Sequence, residues 1–343
     1  MQMKILLVAD PFIPVPPVNY GGIERIIYLL ANGLVERGHS VSLIAHKESI
    51  LNSNIRLISY KYDTDRFIEN MSLVYKTYRN ERFDIIHSFS RLLYLFPLLF
   101  LQTPKIMSYQ REPTLSQIKK ASFLARRKSL MFTGCSSYIS NRINEVADSV
   151  PIYNMVDPKQ YDFVETVTED APLVFLGRIE EIKGVHLAIE IARASGQKLI
   201  IAGNIPKESV EYFKKKVEPF LEDNIIEYVG EVNDVQKNII LKNAKAFLMP
   251  ILWNEPFGIV MIEAMACGTP VIAMNRGAVN EVVIDAVNGY KCVSVEEMID
   301  AVKSISKISR KKVYTDFLAR FSKEVIVNEY VNLYEKLIFK NDK

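Results

Sequence analysis

Short β-rich runs alternate with helical patterns from one end of this chain to the other, and that alternation limits it to an α/β fold with parallel sheets. Residues 4–9, 41–45, 84–87, 105–108 and 130–133 read as buried strands. Their near-continuous apolar character fits strands covered by helices on both faces. Between the first two, Ile23, Ile26, Ile27, Leu30 and Leu34 recur at three- and four-residue steps, and Gly38 supplies a helix stop. The second half repeats the logic, with strands at 173–176, 198–202, 225–229, 246–249 and 270–273 and helices at 185–194, 208–221, 235–243 and 259–266. Two consecutive doubly wound, Rossmann-like units follow, each around its own sheet. The length of 343 residues agrees with two domains at roughly 100–200 residues each.

The polar, acidic stretch 157–171 is the expected linker. A last helix over 324–339 carries Val327, Tyr330, Val331, Tyr334 and Ile338 on one stripe, which must bury against a domain. Composition excludes several classes. With 49% apolar residues the chain has material for two cores, and a net charge of +3 rules out a global polybasic binder. Cys135, Cys267 and Cys292 lie far apart without a CxxC, which argues against a disulfide scaffold or zinc site and fits a reducing, cytoplasmic setting. The most apolar stretch, 92–101, is interrupted by Pro97 and is too short for a bilayer, which needs about 20 residues.

Ligands in open α/β sheets bind at the carboxyl ends of strands, against helix N-termini. After the first strand a Pro-rich loop leads to Gly21-Gly22-Ile23-Glu24-Arg25. Two glycines opening a helix let backbone N–H groups approach an anion, although the pair equally fits a tight turn with a cap. The spacing is not GxGxxG, so the dinucleotide fingerprint is absent. The first strand of the second half leads into Arg178 and Lys183, two cations suited to a diphosphate, or a solvated pair neutralised by Glu180 and Glu181. In the segment 250–270, Glu255 precedes a helix entered at Phe257-Gly258-Ile259, and Glu263 lies within that apolar helix. A carboxylate there is expected to be buried and to need donors, for which sugar hydroxyls are suited.

Together, the Glu255-x7-Glu263 segment, Arg178 with Lys183-Gly184, and the Gly21-Gly22 opening resemble the family 4 retaining glycosyltransferases of GT-B fold. The opening Pro14-Val15-Pro16-Pro17 with Tyr20-Gly21-Gly22 is similar to the branch containing avilamycin-type and tetrahydrobiopterin glucosyltransferases. The resemblance implies two Rossmann-like domains: an acceptor-side domain at 1–160, a nucleotide-sugar-binding domain at 161–321, and a helix at 322–343 returning to the first. It implies transfer of a hexosyl group from a UDP- or GDP-sugar with retained configuration, without a metal or other cofactor. Arg178 and Lys183 would hold the donor diphosphate, and Glu263 the ribose hydroxyls. Glu255 and the backbone of Phe257, Gly258 and Ile259 would hold the donor sugar and phosphate. Val232 would line the base pocket, and Gly21 and Gly22 would approach the diphosphate. A nucleotide-sugar epimerase and a non-catalytic sugar-nucleotide binder share this architecture; the joint presence of Arg178, Lys183, Glu255 and Glu263 favours the transferase.

Many relatives have a histidine after the strand corresponding to 105–108; here Tyr109 and Gln110 stand there, and glutamine does not titrate. His87, at a strand end in the same half, is either a sugar or acceptor contact or a structural histidine. Asp63-Thr64-Asp65 matches a metal-binding DxD but lies in a polar stretch and reads as a solvated loop. Lys119, Lys120, Arg126, Arg127 and Lys128 cluster near Ile118, Phe123 and Leu124, as either a solvated helix or a peripheral contact with an anionic membrane face or acceptor. Residues 1–160 carry 20 Lys and Arg against 13 Asp and Glu, so the near-neutral total conceals a basic first half. The acceptor is not readable: a small molecule, a glycan and a lipid-linked molecule all remain open.

Overall fold

The computed structural model describes residues 1–18, 21–222 and 224–341; Tyr20 of the opening motif lies outside them. The chain divides into two compact units, Met1–Met155 with Lys323–Lys343, and Val156–Ser322.

Unit 1 holds seven parallel strands, β1 (Lys4–Val8), β2 (Ser40–Ala45), β3 (Ile55–Ser59), β4 (Ile85–Ser88), β5 (Lys105–Tyr109), β6 (Leu130–Gly134) and β7 (Ser149–Pro151). Their order is β3-β2-β1-β4-β5-β6-β7, so the winding reverses between β1 and β4. Its first helices are α1 (Gly22–Glu36), α2 (Phe67–Asn80), α3 (Leu115–Leu124) and α4 (Ser137–Asn144). The apolar stripe of α1 is buried at Ile26, Ile27, Leu30 and Leu34.

Unit 2 holds six parallel strands, β8 (Leu173–Leu176), β9 (Leu199–Ala202), β10 (Ile226–Gly230), β11 (Ala246–Met249), β12 (Val271–Met274) and β13 (Gly289–Cys292). They run β10-β9-β8-β11-β12-β13, and the reversal lies between β8 and β11. The helices are α5 (Val185–Ser195), α6 (Val210–Lys216), α7 (Asp234–Lys242), α8 (Ile259–Ala266), α9 (Val279–Val282), α10 (Val295–Ser304) and α11 (Arg310–Phe321). α6 is shorter than its helical pattern: Val217 leaves helical dihedrals and Pro219 starts a separate single turn, because proline withholds an N–H and clashes with the preceding turn.

The expected linker is a correction. Residues 157–171 fall within unit 2, and their first part packs on it: Phe163 stacks on Tyr314 with centroids 4.6 Å apart, and Val164 N–H donates to the Cys267 carbonyl at 3.2 Å. The buried Arg310 guanidinium fastens the segment by donating to the carbonyls of Val164, Ala244, Lys242 and Cys267 and to the Thr269 hydroxyl. Burial lowers its pKa to about 10, so it stays cationic at neutral pH.

The last helix, α12 (Lys323–Asn341), belongs to unit 1 and packs along α1. Gly33 is what permits the approach, since a Cβ there would lie 2.6 Å from Val327 Cγ2. Polar contacts close the seam: Arg37 Nε donates to Asn328 at 2.9 Å, and Lys323 pairs with Glu36 at 2.8 Å. Tyr330 and Tyr334 are buried, and the Tyr334 hydroxyl reaches His87 Nδ1 at 2.6 Å.

Candidate active site

The winding of unit 2 reverses between β8 and β11, the place where open α/β sheets take ligands, and most of the expected residues of this unit follow these two strands. Arg178 and Lys183 follow β8; Glu255 and the start of α8 follow β11. Lys183 precedes Gly184, whose left-handed φ of 76° and contact with the Pro250 carbonyl leave no space for a Cβ. The turn therefore lies against the loop after β11, and Leu252 N–H donates to the Ile182 carbonyl at 2.9 Å.

That contact brings the two loops' charges together. Lys183 Nζ pairs with Glu255 Oε2 at 2.7 Å and stands 4.8 Å from the centre of the Trp253 ring. Trp253 Nε1 donates to the same oxygen at 3.1 Å. The ammonium is thus oriented by a carboxylate and an aromatic face, both strengthened by partial burial. Glu255 is anchored in turn: its carbonyl accepts from Ala278 N–H at 2.9 Å, and a Cβ on Gly277 would overlap its backbone. Arg178 pairs instead with Glu180 at 2.8 Å, and its side chain keeps 38% exposure, leaving it open to a ligand. Gly258 caps α8 with a left-handed φ of 82°, and Ile259 begins the helix. Phe257 is buried against Phe321 and fixes the entrance.

Glu263 is 4% exposed, within α8. Its Oε1 accepts from Tyr161 at 2.7 Å and from Lys237 Nζ at 2.6 Å. Lys237, on α7, also lies 3.2 Å from Asp234. Both bonds end on Oε1, so Oε2 retains its acceptor capacity among the described residues. Val232 is half-buried between β10 and α7, just before the Asn233–Gln236 capping box.

Sequence reasoning missed Trp253, Tyr161, Lys237 and Gly277. The clue for Trp253 was its place two residues before Glu255 as the only tryptophan in the chain. Tyr161 sits in the stretch taken for a linker, and Lys237 looks in sequence like an ordinary exposed helix cation.

Unit 1 has its own reversal, between β1 and β4. Gly21 and Gly22 open α1 there, after β1. A cavity of about 430 Å³ lies at the ends of β4 and β5, with Phe67, Ser90, Arg91, Tyr109, Gln110 and Arg111 in its wall. Tyr109 and Gln110 thus share one concavity. Burial pushes the Tyr109 hydroxyl up to about 12, so it remains a neutral donor. Asp10, just after β1, accepts from the Ser90 hydroxyl at 2.6 Å. Burial raises its pKa, and the Ser90 bond, Arg111 and Arg91 oppose the rise.

His87 is the structural one of its two alternatives. It has no exposed surface, and its ring nitrogens face the Tyr334 and Ser108 hydroxyls, each at 2.6 Å. Burial lowers its pKa to about 3, keeping it neutral. The DxD segment splits: Asp63 is exposed, whereas Asp65 pairs with Arg91 and accepts from Tyr94 at 3.1 Å. Among the described residues, no group of three or more His, Cys, Asp or Glu is placed to hold a metal ion, and no helix is long and apolar enough to cross a membrane.

Comparison with known proteins identifies the family. The family profile "Glycosyltransferase Family 4" matches residues 20–160, and "Glycosyl transferases group 1" matches residues 158–325. The chain belongs to the family 4 glycosyltransferases of GT-B fold. A glycogen synthase of Mycobacterium tuberculosis is 25% identical over 92% of this chain and 91% of its own length. AviGT4, a glycosyltransferase involved in avilamycin A biosynthesis, superposes with a TM-score of 0.77 at 24% identity, covering 98% of each chain. HepE of Anabaena, solved with UDP and glucose, superposes with a TM-score of 0.74 at 16% identity over 97% of this chain and all of its own. This glycosyltransferase therefore carries the two-sheet architecture of its relatives, with the Lys183–Glu255 pair and Glu263 in unit 2.

Proposed function

We propose that this glycosyltransferase moves a hexosyl group from a uridine or guanosine diphosphate sugar, held by unit 2, to an acceptor taken at unit 1, with retained anomeric configuration and without a metal. The observation that carries the reading is the Lys183–Glu255–Trp253 cluster beside the N-terminus of α8, at the switch point of the unit 2 sheet. Fixed donors are worth most where charge develops, and departure of the nucleoside diphosphate concentrates negative charge on its phosphates. Lys183 and Arg178 balance that charge; the left-handed Gly258 opens α8, and the backbone of Phe257, Gly258 and Ile259 at this helix N-terminus serves phosphate and sugar oxygens. Gly21 and Gly22 add N–H groups from the start of α1.

Before the donor binds, Glu255 holds the charge of Lys183, and an ammonium with three donors can keep that bond while meeting a phosphate oxygen. Glu263 Oε2 accepts from the ribose hydroxyls, and Val232 lines the base. Retention is served by same-face attack, in which the leaving phosphate oxygen accepts the acceptor's proton. Gln110 and Tyr109 orient hydroxyls at unit 1 without titrating. Of the two bases uridine is the better supported, because HepE was solved with UDP and glucose.

The test is calorimetric titration with UDP-glucose and GDP-mannose, followed by product analysis by mass spectrometry in chelator. Saturable binding of one donor, and its tenfold or greater weakening in Arg178→Ala, is expected. Absence of binding by any nucleotide sugar defeats the reading, and a product that is an epimer of the donor sugar assigns the site to an epimerase instead.

A further inference from the structure

The C-terminal end of α3 presents an uncovered face of mixed character. Phe123 is 88% exposed, and Leu124, Phe96 and Phe100 are exposed with it. The segments are contiguous: Arg126 N–H donates to the Leu99 carbonyl at 2.8 Å, and the Phe96 and Phe100 rings meet edge-on at 5.7 Å. The basic cluster borders this apolar group. Lys119, Lys120, Arg126, Arg127 and Lys128 are all exposed, and among the described residues no carboxylate pairs with any of them. Arg127 and Lys128 are both left-handed, at φ 50° and 56°, a region uncommon for residues with a Cβ. Residues 85–144 contain a single acidic residue, Glu112.

Exposed aromatic and aliphatic side chains ringed by unpaired cations match the boundary between acyl chains and anionic head groups. We propose that unit 1 docks on an anionic lipid bilayer through this face. The other end of α3 gives Thr114 and Gln117 to the wall of the 430 Å³ cavity. At about 1.5 Å per residue, Gln117 and Phe123 are only ~9 Å apart along the axis. Where unit 1 is the acceptor side, which rests on the transferase reading above, docking brings the cavity to the head-group layer and makes the acceptor a molecule resident in the bilayer.

The test is co-sedimentation with phosphatidylcholine vesicles, with and without phosphatidylglycerol, in the absence of donor. Binding is expected to be at least tenfold tighter to the anionic vesicles and to weaken as salt rises. Replacing the five cations by glutamine is expected to remove that preference, and Phe123→Ser to weaken binding severalfold with every charge retained. In Phe123→Trp, emission from the added tryptophan shifts to the blue on vesicles and is quenched by brominated acyl chains. Equal binding to neutral vesicles, an unshifted Phe123→Trp signal, or competition by a DNA duplex that alone depends on the five cations overturns the proposal. The readout needs no sugar transfer, so its failure leaves the donor-site reading standing, and failure of donor binding leaves the vesicle result standing.

Discussion

Replacing Glu263 by glutamine separates its fold role from its ligand role. In the folded protein one oxygen, Oε1, takes both the Tyr161 hydroxyl and the Lys237 ammonium. Glutamine keeps the volume and one acceptor but removes the charge opposite Lys237. Breaking a buried pair outright costs about 3–5 kcal/mol. Here Asp234 remains 3.2 Å from Lys237, so a loss of about 1–3 kcal/mol is expected, which leaves the protein folded. The ligand role is larger in affinity. A hydrogen bond to a charged acceptor is worth about 1.5–3 kcal/mol, or roughly ten- to hundredfold in Kd. Calorimetry with UDP and 2′-deoxy-UDP makes the assay specific. The unsubstituted protein is expected to prefer UDP by roughly tenfold or more, and Glu263→Gln to lose most of that preference as well as affinity. Urea unfolding of both proteins reads the stability cost independently. If the variant is folded and still distinguishes the two nucleotides as well as its parent, Glu263 does not bind ribose, and its carboxylate serves only the Tyr161–Lys237 cluster.

Gly33→Ala meets two opposing effects: a helix propensity gain of about 1 kcal/mol and an overlap with Val327 costing about 1–3 kcal/mol. Urea midpoints should show net destabilisation in the natural background and stabilisation in a Val327→Ala background; the same sign in both would refute the seam. His87 stays neutral when folded down to a pKa of about 3, whereas an unfolded histidine titrates near 6.5. The unfolded chain therefore binds the extra proton, and stability falls with decreasing pH between these values, by up to about 1.4 kcal/mol per unit. Urea midpoints against pH should lose that component of the slope in His87→Gln. Lys183→Met is expected to lower transfer at saturating donor by a hundredfold or more, because fixed charge acts on the leaving group; a change in KM alone would make it a binding residue only. Gly258→Ala forces a Cβ into a left-handed turn at a cost of about 1–2 kcal/mol, and thermal melts with and without UDP should reveal both this loss and a smaller stabilisation by ligand.

The sheets were legible because parallel strands buried on both faces carry continuous apolar runs, as in β1, β8 and β11. Edge strand β10 was legible at 225–229, but the edge strands β3 and β13 escaped for the converse reason. β3 reads Ile-Arg-Leu-Ile-Ser and β13 Gly-Tyr-Lys-Cys, half-exposed patterns that a loop also satisfies. The burial of Glu263 was foreseeable from its apolar helix, and the entry of α8 from the Phe257-Gly258 step. Its partners were not, since Tyr161 lies 102 residues away and Lys237 becomes buried only when α7 packs beside α8. The same holds for His87, whose hydrogen-bond partner Tyr334 lies 247 residues away. Local pattern reports which face is covered; tertiary contact decides which side chain supplies the cover.

The return of α12 to unit 1 also sets a schedule for biosynthesis. The seven strands of the first sheet leave the ribosome early, but Tyr330 and Tyr334 follow only after Val156–Ser322 has been made. At roughly 5–20 residues per second that interval is on the order of ten to thirty seconds. Throughout it, the surface of α1 around Gly33 and the imidazole of His87 lack the partners that finally enclose them. The N-terminal half of the nascent chain is thus a natural client for chaperones, and a lesion near residue 330 would be felt as misfolding of the part synthesised first.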